Sequence, residues 1–200
     1  MFKKPHCPVI AIEEHYWDDE LEKTFTGGEA RAEKPDLPIY MHPSLPQADV
    51  MRIYYQDYAK DFPMITRATW GYTVETATLA IRLVLSGVFE KYPKPILGHL
   101  GETLPFLVWR IDMTLKRPGG KAANFRDIFS NNFYVTTSGN FSNPALLCCV
   151  MQMGIDGILF AVDWPFVPNP PGTKWMESVP LCDEDKAKIL SGNAKRLLKM

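Results

Sequence analysis

The stretch Ile158-Leu159-Phe160-Ala161-Val162-Asp163-Trp164-Pro165-Phe166 runs five apolar residues straight into a carboxylate. A short continuous apolar run of this kind reads as a buried strand, here Gly157 to Val162. The same pattern recurs upstream. Phe133 to Thr137 is a strand candidate, and Pro95 to Leu97 leads into Gly98-His99-Leu100-Gly101-Glu102. Leu37 to Met41 ends at His42-Pro43, with Pro38 suited to a strand start. Val9 to Ile12 ends at Glu13-Glu14-His15. Helical patterns separate these runs. Val74, Ala77, Ala80, Ile81, Val84, Leu85 and Val88 recur at helical spacing and predict an amphipathic helix over Thr73 to Lys91. Pro105 opens another helix, Asn143 to Met153 reads as a buried one, and Asp18 to Arg31 as a short one turning into a loop. Two more, Asp183 to Leu190 and Asn193 to Leu198, are expected to break at Gly192. Strands alternating with helices give βα units and a parallel sheet.

Polar residues gather at the ends of these strands. Glu13 and His15 follow the first, His42 the second, His99 the third and Asp163 the fifth. In a parallel βα fold the strand C-termini share one face, where active sites form. Glu13 and His15 are two apart, so on a strand they point the same way. Two imidazoles and two carboxylates converging there suit a divalent metal, Zn²⁺ accepting N and O ligands and Mn²⁺ a carboxylate-rich set. Taken singly, each residue has a plainer reading. Glu13 and Glu14 are also compatible with solvated carboxylates, His42 with a hydrogen-bonded loop histidine, and Gly98 and Gly101 with turn formation. Asp163 is the hardest to explain this way, because a carboxylate after so apolar a run needs a partner. The signal is the set.

Composition narrows the function classes. The chain has 200 residues, is 46% hydrophobic and 22% charged, and carries a formal net charge of −1. Near-neutrality provides no field for a phosphate backbone, and Trp70, Trp109, Trp164 and Trp175 have no accompanying basic stripe. Nucleic acid is therefore not an expected partner. No apolar run approaches the roughly 20 residues that span a bilayer, and Glu13-Glu14 interrupt the first apolar stretch too early for a signal peptide. Cys7, Cys148, Cys149 and Cys182 lack ligand spacing and read as reduced packing residues, which points to the cytoplasm. Gly119-Gly120-Lys121 lacks phosphate-loop spacing and reads as a connector.

Several segments together resemble the amidohydrolase-related (amidohydrolase family 2) metal-dependent decarboxylases that act on hydroxybenzoates. They are Ile12-Glu13-Glu14-His15, Tyr40-Met41-His42-Pro43, Trp70-Gly71-Tyr72-Thr73-Val74-Glu75-Thr76, Gly98-His99-Leu100-Gly101-Glu102, Trp109-Arg110-Ile111-Asp112, Thr136-Thr137-Ser138-Gly139-Asn140-Phe141, Asp163-Trp164-Pro165-Phe166 and Gly192-Asn193-Ala194-Lys195-Arg196. The resemblance implies a TIM-barrel-like (β/α)8 fold and one Zn or Mn ion held by Glu13, His15, His42 and Asp163. It implies Asp163 as proton donor, His99 and Glu102 as catalytic groups, with Glu102 orienting His99, and Arg110 as a substrate-binding residue that can reach a neighbouring subunit's site. The implied reaction is non-oxidative decarboxylation of a hydroxylated aromatic acid by a homo-oligomer, a dimer or tetramer. A lactonase-like hydrolase on the same scaffold is the alternative, and an inactive shortened family member is a third reading.

Two departures from the family pattern stand out. The stretch Tyr16 to Leu37 is all that lies between His15 and His42, where family members place strands two, three and four with their helices. Residues 1–200 therefore read as one domain with an apparent internal deletion near 16–37. About five strands are expected, and five strands cannot close a barrel built for eight. Leu79 stands where close relatives often carry a histidine.

Overall fold

The computed structural model describes residues 38–90, 94–119 and 121–200. The expected first strand, Val9 to Ile12, and the expected helix at Asp18 to Arg31 lie outside the described residues. Four short strands form one parallel sheet in the order β1 (Ile39–Met41), β2 (Pro95–Leu97), β3 (Tyr134–Thr136) and β4 (Ile158–Leu159). Each strand pairs with the next in sequence, and helices carry the chain between them. The helical stretch 48–59 (α1) and α2 (Gly71–Ser86) link β1 to β2. α3 (Leu104–Leu115) and α4 (Phe125–Asn132) link β2 to β3, and α5 (Asn143–Met153) links β3 to β4. α6 (Asn169–Ser178) and the helical run 183–198 (α7) follow β4.

The register explains the layers. Met41, Leu97, Val135 and Ile158 are successive cross-strand partners and form one row of the sheet. All four are buried in the main core with Ala77, Ala80 and Val84 of α2, Val108 of α3, Phe125 and Phe129 of α4 and Leu146 of α5. Side chains alternate across a strand, so Tyr40, Ile96 and Tyr134 turn to the other face. There they join Leu159 and the α7 residues Ala194 and Leu197 in a smaller cluster. Fully burying a side chain such as Leu97 stabilises the fold by about 1.5–3 kcal/mol.

Most sequence expectations fall on these elements, with adjustments. α2 ends at Ser86 rather than Lys91, because Gly87 adopts φ 76° and caps it in the left-handed conformation. The break expected at Gly192 is absent. Asp183–Ala187, a π-helical turn at Lys188–Gly192 and Asn193–Leu198 follow one another directly, and Gly192 has helical φ −59° and ψ −45°. Packing overrides glycine's helix-breaking tendency here, since Ile189, Leu190, Asn193 and Ala194 are all buried. Asn193 Nδ2 donates to the Ile158 carbonyl at 2.7 Å, and Phe160 N–H donates to the Ile189 carbonyl at 3.0 Å. The π turn and Asn193 after it thus supply partners to β4 and to the residue that follows it. Among the described residues, no helix is long and apolar enough to cross a membrane.

Candidate active site

Beyond β4 the ladder with β3 is continued by a side chain. Thr137 Oγ1 donates to the Ala161 carbonyl at 2.7 Å and accepts from Ala161 N–H at 3.0 Å. This carries the chain in register to Asp163, which sits at φ 75°. The next segment folds back, with Val167 N–H donating to the Asp163 carbonyl at 2.9 Å. α6 is pressed against the same place. A Cβ on Gly172 would come within 2.7 Å of Val162 Cγ1 and 2.8 Å of Phe141 Cζ, so only glycine permits this approach.

After β2 the chain makes an unusual turn. His99, Leu100, Gly101 and Glu102 have φ of 52°, 58°, 70° and 59° in succession. Non-glycine residues in this region cost of order 1–3 kcal/mol each and persist only when their surroundings hold them there. Those surroundings can be named. Gly101 N–H donates to the Gly98 carbonyl at 2.8 Å. His99 Nδ1 lies 2.8 Å from the Ser138 carbonyl, and Asn140 Nδ2 donates to the His99 carbonyl at 3.2 Å. The Cys149 thiol donates to the Leu100 carbonyl at 3.3 Å. Thr73 Oγ1 donates to Glu102 Oε2 at 2.7 Å. A carbonyl can only accept, so His99 carries its proton on Nδ1 and presents Nε2 on the opposite edge of the ring.

The two strand ends meet over Gly139. Its φ is 59°, and a Cβ there would sit 3.3 Å from Asp163 Oδ2, 3.6 Å from Val167 Cγ2 and 3.7 Å from His99 Nδ1. The missing methyl leaves a small cradle walled by a carboxylate and an imidazole. These two expected residues are therefore brought together, with Glu102 three residues along the same turn. His42 follows β1, is exposed, and has its ring edge-on to Tyr72 at 6.5 Å between centroids. Glu13 and His15 lie outside the described residues. Among the described residues, no group of three or more His, Cys, Asp or Glu side chains is placed to hold a metal ion. Two of the four expected ligands, His42 and Asp163, belong to the described set. Arg110 is exposed on α3 beside the exposed Phe106, Trp109 and Met113, and Leu79 is exposed on α2.

Ser138, Gly139, Asn140 and Thr73 were not among the expected site residues. Ser138 acts through a backbone carbonyl, which has no side-chain signature. Thr73 acts across 29 positions of sequence, which no local pattern reports. The glycine in Ser138-Gly139-Asn140 was the one visible signal.

Residues 9–200 match the family described as Amidohydrolase. The chain is 38% identical over 192 residues to gamma-resorcylate decarboxylase from Rhizobium sp. (strain MTP-10005), covering 92% of this chain and 56% of that protein. It superposes on the crystal structure of a dihydroxybenzoic acid decarboxylase from Polaromonas sp. JS666 with bound manganese and the inhibitor 2-nitroresorcinol. The TM-score is 0.73 at 41% identity, over 82% of this chain and 50% of that one. A 2,6-dihydroxybenzoate decarboxylase complexed with 2,6-dihydroxybenzoate gives a TM-score of 0.74 at 38% identity, over 82% and 52% of the two chains. This chain spans about half the length of the relatives it matches, and the four-stranded parallel sheet of its described residues is an incomplete (β/α) barrel. With this match over most of its length, the chain belongs to the amidohydrolase family.

Proposed function

We propose that this protein is a metal-dependent carboxy-lyase that removes CO₂ from a hydroxylated aromatic acid without oxidation. The observation that carries the reading is the convergence of Asp163 Oδ2 and His99 Nδ1 on the Cβ-less Gly139, at the C-terminal ends of parallel strands. Support comes from similarity to proteins named for this reaction, one of them holding manganese. We assign the metal to Glu13, His15, His42 and Asp163. This donor set is of nitrogen and oxygen, which suits Zn or Mn. The cradle at Gly139 fits the assignment, because a Cβ there would sit 3.3 Å from Asp163 Oδ2 and the glycine leaves that space beside the carboxylate.

Held by Glu13, His15, His42 and Asp163, a divalent ion would supply Lewis-acid polarisation of the substrate. The other roles fall to the chain. Asp163, as a carboxylic acid, delivers its proton to the ring carbon that bears the carboxylate. The bond from that carbon to the carboxylate then breaks, its electron pair restores the aromatic ring, and CO₂ departs. Asp163 is left ionised and is reprotonated from solvent, so the net change is one proton taken up and one CO₂ released. His99, fixed by Ser138 through Nδ1, turns Nε2 to the substrate and stabilises negative charge there. Glu102 supports that turn, and Arg110 binds substrate from the exposed side of α3. Phe106, Trp109 and Met113 on that helix provide apolar surface for a homo-oligomer. The reading places a single domain over residues 1–200 in the cytoplasm.

The test is direct. Protein loaded with Mn²⁺ or Zn²⁺ should hold about one ion per chain by elemental analysis, melt at a higher temperature than the metal-free protein, and convert 2,6- or 2,3-dihydroxybenzoate to a diphenol and CO₂. Opening of an aromatic lactone with no CO₂ release would establish a hydrolase instead. Failure of any metal to raise the melting temperature would point to an inactive shortened member.

A further inference from the structure

The motif Trp70-Gly71-Tyr72-Thr73 has no role in the reaction as assigned, yet it touches the site twice. A Cβ on Gly71 would overlap the Thr66 carbonyl, so this glycine lets the start of α2 seat directly on the preceding turn. Tyr72 N–H donates to the Arg67 carbonyl at 3.0 Å and secures that seating. From this anchored turn Tyr72 lies edge-on to His42, and Thr73 Oγ1 donates to Glu102 Oε2 at 2.7 Å. The first turn of α2 therefore spans the loops after β1 and β2.

We propose that Thr73 is a positioning residue, which holds the left-handed His99–Glu102 turn in place by clamping its last residue. Other bonds hold the earlier residues of the turn. Ser138 and Asn140 hold His99, and Cys149 holds the Leu100 carbonyl. Glu102 has φ 59° and ψ −125°, a conformation that residues with a side chain rarely adopt. Its N–H reaches the His99 carbonyl at 3.3 Å, a long bond. The Thr73 bond is shorter and goes to a carboxylate, which makes it the stronger restraint. Releasing it lets Glu102 relax toward negative φ and carries His99 out of register with Asp163.

The experiment compares Thr73→Val, which keeps the side-chain shape and removes the donor, with Thr73→Ser, which restores a hydroxyl. Activity on 2,6-dihydroxybenzoate is the first readout and rests on the function proposed above. Thr73→Val should lower kcat at least ~10-fold with KM within about twofold, and Thr73→Ser should recover most of the loss. The second readout is independent of activity. Amide hydrogen exchange across 98–104 should speed at least ~10-fold in Thr73→Val and stay near wild type in Thr73→Ser, with exchange in α7 unchanged in both. If wild-type protein shows no decarboxylation while the exchange pattern appears, the positioning role stands and the assigned reaction falls. Equal exchange in Thr73→Val and wild type overturns the positioning role, whether or not the protein is active. So does a Thr73→Val defect that Thr73→Ser fails to recover while melting at the wild-type temperature.

Discussion

The two sides of the site are built differently. On one side, the His99–Glu102 turn is tied down by hydrogen bonds from three separate elements, Thr73 on α2, Ser138 and Asn140 after β3, and Cys149 on α5, and the Asp163 carbonyl accepts from Val167 N–H. On the other, His42 follows the edge strand β1, is exposed, and meets the aromatic edge of Tyr72. The proton-handling side sits over consecutive strands whose cross-strand row is wholly buried. The metal side draws its remaining assigned ligands, Glu13 and His15, from sequence far upstream of that sheet. Protein interiors hold strained backbone through close packing, so the first side can keep its geometry without the second.

Three substitutions would break or sharpen this contrast. Leu97→Ala has the largest expected effect. Leu97 is fully buried in the middle of the row Met41, Leu97, Val135 and Ile158, just before the His99 turn. Its truncation should cost about 2–5 kcal/mol in denaturant unfolding and loosen both sides together. His42→Ala should separate them. Metal affinity by titration calorimetry should fall at least ~100-fold, equivalent to about 2.7 kcal/mol. The unfolding free energy of the metal-free protein should be unchanged within about 0.5 kcal/mol, because the side chain is exposed. A large loss of metal-free stability would show that His42 is part of the packed side after all.

Asp112→Ala should have the smallest effect of the three on the site and should leave both of its sides intact. Burial alone would raise the Asp112 carboxyl, but hydrogen bonds from Lys116 Nζ at 2.7 Å and Arg126 N–H at 3.1 Å, with their charges, outweigh it and hold its pKa below the ordinary value of 3.8. A depressed folded-state pKa contributes stability above the unfolded value, and that contribution disappears as pH falls through the folded value. The substitution removes the acceptor of the partly buried Arg126 N–H and of Lys116 Nζ and should cost about 0.5–1.5 kcal/mol at pH 7. The difference from wild type should shrink as pH drops below about 3.8, measured by urea unfolding at pH 7 and pH 3.

The legible part of the fold was its alternation. Apolar runs closing on a polar residue located all four described strands, and the helix expected over Asn143 to Met153 has those same bounds. Asp163 stood out because a carboxylate directly after an apolar run needs a partner, whereas His99 was marked by its place in the set of polar residues at strand ends. What stayed hidden depends on tertiary contact. The helix α6, which begins at Asn169-Pro170-Pro171-Gly172, was not among the expected elements, yet proline at the first helical turn is compatible with a helix and Gly172 is needed for contact with Val162. α4 was also missed, since its Phe125-Arg126-Asp127-Ile128-Phe129 lacks a long periodic run, and it is held by Phe125 and Phe129 in the core. The Thr73–Glu102 bond and the Ser138 carbonyl on His99 arise only once distant segments are side by side.

The measurement that bears most directly on the central claim is CO₂ release from carboxyl-labelled 2,6-dihydroxybenzoate by the metal-loaded protein and its Asp163→Asn variant. The account predicts labelled CO₂ from the wild-type chain and a drop of about 10²- to 10⁴-fold in the variant, as expected for loss of a general acid. Turnover that is unchanged in Asp163→Asn would contradict the proposed role of Asp163. Metal-loaded wild-type protein that releases no labelled CO₂ would contradict the proposed function itself.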